Sequence, residues 1–295
     1  MPAARRAVRG PQIAAAAIAA LLSLAALPAF AQGLKSRPLF VPTPEEVVER
    51  MLRIAGTGPR DFVIDLGSGD GRIVIAAARD FGARGLGVDI DAELVGESRA
   101  NARRAGVADR VAFEERDMFH TNLSRATVAT VYLLPSLLDR LQPKFLEELR
   151  PGARIVSHAF FMHGWTPDRT EKVKHVLRYG WHGDESTIYL WIVPARARGD
   201  WQARDWRLRI QQTFQQITIE GDAFGHPLAL KEARLAGAAI SFSGAGFSFR
   251  GRVGAERISG KLTRAGNVSP LVLARLTSRA ADSAAPSCSP ACSAH

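Results

Sequence analysis

The sequence predicts a doubly wound α/β sheet of seven strands, followed by a small antiparallel all-β module. Helical and strand patterns alternate from Pro38 to Pro194, which is typical of βαβ units in a mostly parallel sheet. After Pro194 the apolar residues recur in short alternating runs separated by glycine, as in a small barrel or sandwich. The 46% of hydrophobic and 23% of charged residues are typical of a globular protein and exclude wholesale disorder.

The elements of the first domain, residues 38–194, follow from caps, turns and apolar runs. Thr43 and Pro44 favour a helix start, because threonine caps a helix and proline suits its first position. Residues 62–64 are continuously apolar, which fits a strand buried on both faces. Asp91 caps a later helix, which Gly106 ends. The predicted elements are helix 43–54, strand 61–66, a helix ending at 82, strand 85–90, helix 91–106, strands 110–115 and 127–134, helix 136–149, and strands 153–159, 171–177 and 187–193.

The second domain, residues 204–276, is predicted to contain about six short strands. A helix-length apolar period occurs there only near residues 229–236. The tail 277–295 is rich in Ala, Ser and Pro and is expected to be disordered. It holds both cysteines, Cys288 and Cys292, so no disulfide framework or thiolate metal site can support the fold, although a small disulfide loop remains an option.

The first 31 residues have the pattern of an export signal. Three arginines precede an apolar run at 13–27 and an Ala-Phe-Ala cleavage pattern at 29–31. We therefore expect an exported, periplasmic protein whose mature chain begins near Gln32. The run is shorter than the roughly twenty residues that a membrane span needs. The alternative is an uncleaved signal that anchors the chain to the inner membrane.

Positive charge is concentrated at the end of the chain. Residues 32–195 carry 22 basic and 22 acidic side chains, whereas residues 196–295 carry 14 and 7. Arginines on solvated strand faces are the ordinary interpretation. The excess leaves peripheral membrane association open, and nothing in the sequence indicates a specific nucleic-acid partner.

A glycine-rich turn between the first strand and its helix carries the chemical signal. The turn reads Asp65, Leu66, Gly67, Ser68, Gly69, Asp70, Gly71. Its glycines let the backbone approach a ligand closely. Two aspartates would repel the pyrophosphate of a dinucleotide, and the spacing is G-x-G-x-G rather than G-x-G-x-x-G. A ligand with an ammonium and a sulfonium group, such as S-adenosylmethionine, fits these charges.

Further acids follow the next two strands. Asp89 ends strand two beside the glycine turn, where a carboxylate can accept hydrogen bonds from ribose hydroxyls, and Ile90 adjoins it. Asp117 follows strand three, where it could receive the adenine amino group while Met118 packs on the ring. Ordinary turn chemistry is the competing interpretation of Asp117.

Together these residues resemble the seven-strand, Rossmann-like S-adenosylmethionine-dependent methyltransferases over about residues 39–193. Within this family the chain is most similar to the protein-lysine methyltransferases of mitochondrial ATP synthase c subunit and adenine nucleotide translocase, with their bacterial relatives. The resemblance implies N-methylation of an amine or a protein lysine. An export signal and the β module depart from the pattern and leave the methyl acceptor open. The segments that carry the resemblance are Val41-Pro42-Thr43-Pro44, Asp65 to Arg72, Leu134-Pro135-Ser136 and Pro151-Gly152-Ala153-Arg154.

Methyl transfer needs a positioned, neutral nucleophile more than a strong base, because the sulfonium is already a good leaving group. The candidate catalytic residues at the carboxyl end of the sheet are Tyr132, Ser136 and His158. Histidine is favoured among them because it titrates near neutral pH. Thr43, with Glu46, lies in the segment that resembles the family's entry loop and could close over the methionine end of the cofactor. A helix-cap role for Thr43 and Glu46 is the stronger interpretation.

Two other functions remain open. Aminopropyl transfer from decarboxylated S-adenosylmethionine would require a carboxylate after strand four, and residues 133–136 contain none. A non-catalytic exported protein could instead bind an adenosyl ligand, which would avoid the need for a cofactor made in the cytoplasm. The sequence predicts no metal site.

Overall fold

The computed structural model describes residues 40–175 and 184–276. The chain divides into two units, Met1–Phe40 and Val41–His295, and every described helix and strand belongs to the second. The predicted signal, the predicted tail and its two cysteines lie outside the described residues, as does the end of the strand predicted at 171–177.

The first sheet has seven strands in the order β3-β2-β1-β4-β5-β7-β6. Strands β1 to β5 are parallel, whereas β7 runs antiparallel to both β5 and β6. This arrangement confirms the predicted Rossmann-like sheet. Because the strand order reverses at β1, the carboxyl ends of β1, β2 and β4 border one crevice, where such sheets bind ligands. The strands are β1 Phe62–Leu66, β2 Arg84–Asp89, β3 Val111–Glu115, β4 Val128–Val131, β5 Arg154–His158, β6 Arg169–Lys174 and β7 Glu185–Ile192.

Within the described ranges, four α-helices cover the two faces of this sheet, and a one-turn 3-10 helix, Met118–His120, follows β3. Asp91 caps its helix as predicted, accepting a hydrogen bond from the Glu93 N–H at 2.9 Å. The first helix begins after Pro44 without a side-chain cap, so the predicted Thr43 cap is wrong. The helices are α1 Glu45–Ile54, α2 Arg72–Phe81, α3 Ala92–Arg104 and α4 Pro135–Glu148.

Both faces of the sheet are apolar, as the unbroken hydrophobic centre of β1 predicted. Ile64 belongs to the core beneath α4, with Phe145 of that helix. Val63 belongs to the opposite core, with Met51 of α1. Successive β1 residues therefore anchor helices on opposite sides, which fixes the end of β1 firmly beneath the crevice.

The second sheet has nine antiparallel strands rather than about six, in the order β11-β10-β9-β8-β16-β15-β14-β13-β12. It begins at Gly199, earlier than the predicted 204, and the segment 229–236, whose apolar period left a helix open, forms strand β12. Strands β10 and β12 approach each other, so the sheet curls around its own core. The strands are β8 Gly199–Ala203, β9 Trp206–Thr213, β10 Gln216–Ala223, β11 His226–Pro227, β12 Leu230–Ala236, β13 Ala239–Gly244, β14 Phe247–Val253, β15 Arg257–Arg264 and β16 Asn267–Leu276.

The two sheets pack against each other at the β9–β10 turn. The ring of Trp165 stacks on Phe214 with centroids 5.0 Å apart, and its Nε1 donates to Gln215 Oε1 at 2.9 Å. In the β12–β13 turn, Gly237 lies so close to Gly152 that a Cβ would stand 3.0 Å from the Gly152 Cα. Within residues 40–175 and 184–276 no helix has the length and hydropathy of a membrane span.

Candidate cofactor and catalytic site

The glycine turn between β1 and α2 has the sharp backbone turn that its sequence predicted. Gly67, Gly69 and Gly71 have φ of +80°, +54° and +83°, the left-handed region that favours glycine. The Gly67 and Ser68 N–H groups each donate to the Val88 carbonyl at 2.9 Å, which ties the turn to β2. The hydrogen bonds to Val88 therefore fix a sharp, mostly buried turn at the carboxyl end of β1, in which Gly67 is exposed.

Close packing, in addition to the positive φ, requires a glycine at position 71. A Cβ at this position would lie 2.6 Å from Ser98 Cβ and 2.7 Å from the Phe113 ring. Such distances are clashes, so α2 can start here only because residue 71 lacks a side chain.

Asp65, at the carboxyl end of β1, is only 2% exposed. Burial raises the pKa of its carboxyl to about 7; the Thr130 hydrogen bond opposes this, and the charges of Asp89 and Asp70 add to it. The Thr130 hydroxyl donates to Asp65 Oδ1 at 2.7 Å. A buried carboxyl that titrates near neutral pH is a natural partner for a cationic ligand.

Asp89, at the end of β2, faces the same turn. Its Oδ2 accepts from the Gly69 N–H at 2.9 Å, and its Oδ1 accepts from the Asp91 N–H at 3.0 Å. Each carboxylate oxygen keeps acceptor capacity beyond its one backbone donor. Ile90 beside it is 56% exposed, so an apolar side chain borders the carboxylate.

Asp70 was expected to add an unpaired negative charge to the turn, but it forms an ion pair with Arg72. Arg72 Nη2 lies 2.5 Å from Asp70 Oδ2, and Arg72 Nε donates to Oδ1 at 2.9 Å. Arg72 Nη1 also donates to the Thr43 carbonyl at 2.8 Å, which joins the turn to the segment before α1. The electrostatic preference for a cation therefore rests on Asp65 and Asp89, and the assignment of Asp70 to the cofactor stays a prediction.

Asp117 caps the 3-10 helix after β3. Its Oδ1 accepts from the Phe119 N–H at 2.8 Å, and its Oδ2 lies 3.4 Å from His120 Nδ1. Met118 is partly buried against the core. Local turn chemistry accounts for this geometry, so contacts of Asp117 and Met118 with an adenine ring also stay predictions.

Three of the residues singled out in the sequence, Thr43, Tyr132 and His158, lie together. His158 is 1% exposed, and its Nδ1 lies 3.2 Å from Thr43 Oγ1. The Tyr132 ring lies 4.1 Å from the His158 ring, centroid to centroid. Burial raises the pKa of the Tyr132 hydroxyl above its ordinary value, so this phenol is neutral at physiological pH. Ser136 is exposed in the first turn of α4 and shares no described hydrogen bond with this group.

Two members of this group were not predicted from the sequence. His158 Nε2 lies 2.9 Å from Ser186 Oγ, and the same hydroxyl lies 2.8 Å from His175 Nε2. Ser186 reaches His158 through the antiparallel pairing of β7 with β5, and His175 follows β6. No local motif marks them, because only the order of the strands brings them together.

The site fits S-adenosylmethionine in two respects. The positive φ angles at Gly67 and Gly69 turn the backbone sharply at the carboxyl end of β1, and Asp65 and Asp89 supply carboxylates for cationic and hydroxyl groups. In addition, the buried Ser68 Oγ has no hydrogen-bond partner among the described residues. The described residues contain no group of three His, Cys, Asp or Glu that could hold a metal ion.

Residues 65–169 match the family model of the ANTKMT methyltransferase domain. A protein-lysine N-methyltransferase of Saccharolobus islandicus is 42% identical over 155 residues, which are 52% of this chain and 92% of that protein. The adenine nucleotide translocase lysine N-methyltransferase of mouse is 36% identical over 51% of this chain and 66% of its own length. The mouse lysine N-methyltransferase of the ATP synthase c subunit is 36% identical over 44% of this chain and 52% of its own length.

An RNA methyltransferase of Salinibacter ruber, solved with S-adenosyl-L-homocysteine, is 50% identical over 52% of this chain and 93% of that chain, with a TM-score of 0.47. The chain thus spans nearly all of the archaeal relative but only one half to two thirds of the mouse proteins. The family model ends before β7 and does not include the β module. These matches confirm the resemblance seen in the sequence: the chain belongs to the S-adenosylmethionine-dependent protein-lysine N-methyltransferases.

Proposed function

We propose that this protein transfers the methyl group of S-adenosylmethionine to the side-chain nitrogen of a lysine in a protein substrate. The observation that carries the proposal is the position of the Tyr132–His158 pair. It stands at the ends of β4 and β5, and Asp65 ends the adjacent strand β1. The carboxylates proposed for the cofactor and the Tyr132–His158 pair thus stand at the carboxyl ends of neighbouring strands.

The chain's own residues hold the two reactants. Asp65 would hold the cationic amino-acid end of the cofactor, Asp89 would accept hydrogen bonds from its ribose hydroxyls, and the turn 67–71 would supply backbone contacts. When bound, the cofactor supplies a methyl group on a good leaving group. The remaining tasks of the protein are to align the nucleophile and to exclude water.

The lysine approaches over the aromatic side chains. The Tyr132 ring stacks with Phe160 at a centroid distance of 6.1 Å and an interplanar angle of 19°. Such a surface can pack against the methylenes of a lysine side chain. A neutral Tyr132 hydroxyl can accept a hydrogen bond from that amine without leaving a buried charge.

His158 acts in this proposal by positioning rather than as the base. It is buried, and each of its ring nitrogens faces a hydroxyl, Thr43 on one side and Ser186 on the other. It therefore fixes the segment before α1 against β5 and holds the Tyr132 ring. The proton of the lysine ammonium leaves to solvent before the bond from nitrogen to carbon forms.

The names of the relatives suggest the class of acceptor. They are lysine N-methyltransferases of adenine nucleotide translocase and of the ATP synthase c subunit. We extend to this chain only their common element, a lysine in a protein. A small amine is the competing acceptor.

Incubation with methyl-labelled S-adenosylmethionine and separate pools of membrane proteins, soluble proteins and small amines tests the proposal, and a parallel incubation uses decarboxylated S-adenosylmethionine. We expect label in protein, recovered as methylated lysine after acid hydrolysis, and its loss in the Tyr132→Ala variant. The Tyr132→Phe variant is the matched control for packing, because it keeps the ring and removes only the hydroxyl. Label in small amines alone would refute a protein acceptor. Binding of S-adenosylhomocysteine without transfer to any fraction would favour the non-catalytic alternative, and product formed only from decarboxylated S-adenosylmethionine would favour aminopropyl transfer.

We also propose that the protein is exported to the periplasm, with an uncleaved signal that anchors it to the inner membrane as the alternative. The apolar run at 13–27 and the Ala-Phe-Ala pattern at 29–31 support export. N-terminal sequencing of the protein from fractionated cells separates the two. A terminus near Gln32 in the periplasmic fraction supports cleavage, an intact terminus in membranes supports the anchor, and an intact terminus in the cytoplasm contradicts both.

A further inference from the structure

The outer face of strand β16 carries an unusual apolar strip. Alternate residues of β16 turn to the core, where Leu271 and Leu273 are buried, and the others face outward. Val268, Val272 and Leu276 on the outward side are 61%, 49% and 43% exposed. The β16 strip is completed by two further outward residues, Pro270 and Ala274. Outward strand faces in contact with water are normally polar.

Basic residues lie directly beside the β16 strip. In the β15 pairing, Lys261 stands opposite Pro270, and Arg257 stands opposite Ala274. In the next pairing, Arg250 of β14 stands opposite Lys261. Arg252, two residues further along β14, completes the group, and all four basic side chains are exposed. Neighbouring strands are about 4.8 Å apart, so the strip and these charges form one continuous surface.

The acidic strand residue beside this surface is Asp200 of β8, which stands opposite Leu276 and whose carboxylate is paired with Arg209. The outward positions of β14, β15 and β16 hold no Asp or Glu, and Glu256 lies in the turn before β15. Among the ion pairs of the described residues, none involves these four basic side chains. The outer face of β9 differs, because Arg209 there pairs with Asp200 of β8 at 2.7 Å.

We propose that the outer face of β14–β16 binds the surface of an anionic phospholipid bilayer. The β16 strip would enter the boundary between headgroups and acyl chains, and the four basic side chains would contact lipid phosphates. Single-stranded nucleic acid is another anionic ligand with apolar surface, but proteins bind its bases by stacking them on aromatic side chains. The outward positions of β14, β15 and β16 that adjoin the strip have no aromatic side chain. Aliphatic side chains beside a group of exposed cations therefore favour lipid.

Vesicle co-sedimentation of the full chain tests this surface. Vesicles of phosphatidylglycerol and phosphatidylcholine are compared with vesicles of phosphatidylcholine alone, at low and high salt. We expect binding to the anionic vesicles only, weakened by salt. The Arg250→Gln/Arg252→Gln/Lys261→Gln variant should reduce the partition coefficient on the order of a hundredfold, because each basic residue near the surface contributes about a fivefold gain.

A matched control removes the same charge elsewhere. Arg60→Gln/Arg84→Gln/Arg169→Gln alters three exposed arginines of the first domain, and we expect less than about a threefold change. Val268→Ser/Val272→Ser should reduce partition roughly tenfold while keeping the charge. Thermal unfolding of every variant separates loss of the surface from loss of the fold.

A site-specific probe distinguishes contact by this face from insertion of another segment. An environment-sensitive fluorophore is attached at Val272→Cys in a Cys288→Ser/Cys292→Ser background, with Thr218→Cys on β10 as the control position. Emission should rise at 272 and stay unchanged at 218 when anionic vesicles are added. Equal partition of all variants, an equal loss in the arginine control, or oligonucleotide binding without vesicle binding would each overturn the proposal.

Discussion

Cofactor affinity should depend on pH through Asp65. Burial raises the pKa of its carboxyl to about 7 in the free protein. A ligand ammonium binds the ionised form, so the apparent dissociation constant scales with one plus the ratio of protonated to ionised Asp65. With a pKa of about 7, affinity for S-adenosylhomocysteine should be roughly sevenfold weaker at pH 6.0 than at pH 7.2.

The Asp65→Asn variant isolates this effect. It keeps the shape and a hydrogen bond with Thr130 but cannot ionise, so its affinity should be weak and independent of pH across the same interval. Isothermal titration calorimetry at closely spaced pH values measures both proteins. An affinity that stays flat in the wild type, or a slope that persists in Asp65→Asn, would refute the assignment of the titrating group to Asp65.

The same carboxyl links stability to pH. Its pKa is higher in the folded protein than in the unfolded chain, so folding takes up a proton between the two values. The stability contributed by the protonated form is complete below about pH 4 and is lost as pH rises through about 7. The shift from 3.8 to about 7 corresponds to a loss on the order of 4 kcal/mol. Asp65→Asn should therefore unfold at higher denaturant concentration than the wild type at pH 8, in the absence of cofactor.

Three further predictions concern single side chains. Gly71→Ala should cost about 3 kcal/mol or more of folding free energy, because its Cβ would clash with Ser98 and Phe113. Gly106→Ala, where φ is positive but the space is open, should cost about 1 kcal/mol. Chemical denaturation measures both variants, and equal costs would contradict the clash. Ser68→Ala should change the free energy of unfolding of the apoprotein by less than about 0.5 kcal/mol, since the Ser68 hydroxyl has no hydrogen-bond partner among the described residues. The same variant should bind S-adenosylhomocysteine several-fold more weakly. Unchanged affinity would show that this hydroxyl does not reach the ligand. Phe249→Ala should destabilise the β module by about 3–5 kcal/mol, because its ring is fully buried and stacked on Phe242; a small change would mean that the module core is not packed around this side chain.

The fold and the cofactor class could be predicted from the sequence because their signals are local. Residues 61–91 contain, in order, a strand, a glycine turn, a helix and a second strand that ends in an acid. Each of these parts can be recognised from the residue types in its own short segment. Comparison with relatives confirms the family, the enzyme class and the cofactor.

The sequence-based expectations differed from the structure where a residue's hydrogen-bond partner is distant in the sequence, or where pairing between strands competes with a helical pattern. Residues 229–236 have a helical apolar period, but pairing of β12 with β13 supplies the hydrogen bonds that a helix would have made internally. Threonine is a residue type that often caps a helix, yet the Thr43 hydroxyl contacts His158, which lies 115 residues further along the chain. Asp70 looked uncompensated because its partner Arg72 lies two residues away, a spacing that a regular helix does not bring together and the turn does.

The two halves of the site are therefore built in different ways. The cofactor half is held by backbone hydrogen bonds between neighbouring segments of β1, β2 and the glycine turn. The acceptor half joins Thr43, Tyr132, His158 and Ser186 across the sheet, and this contact depends on β7 running antiparallel beside β5. A change in the β5–β7 pairing would move Ser186 away from His158 without disturbing Asp65 or Asp89. In the proposed site the acceptor half could consequently change while the cofactor half is retained. The glycine turn is a local motif that indicates the cofactor class, whereas no local motif marks the residues proposed to position the methyl acceptor.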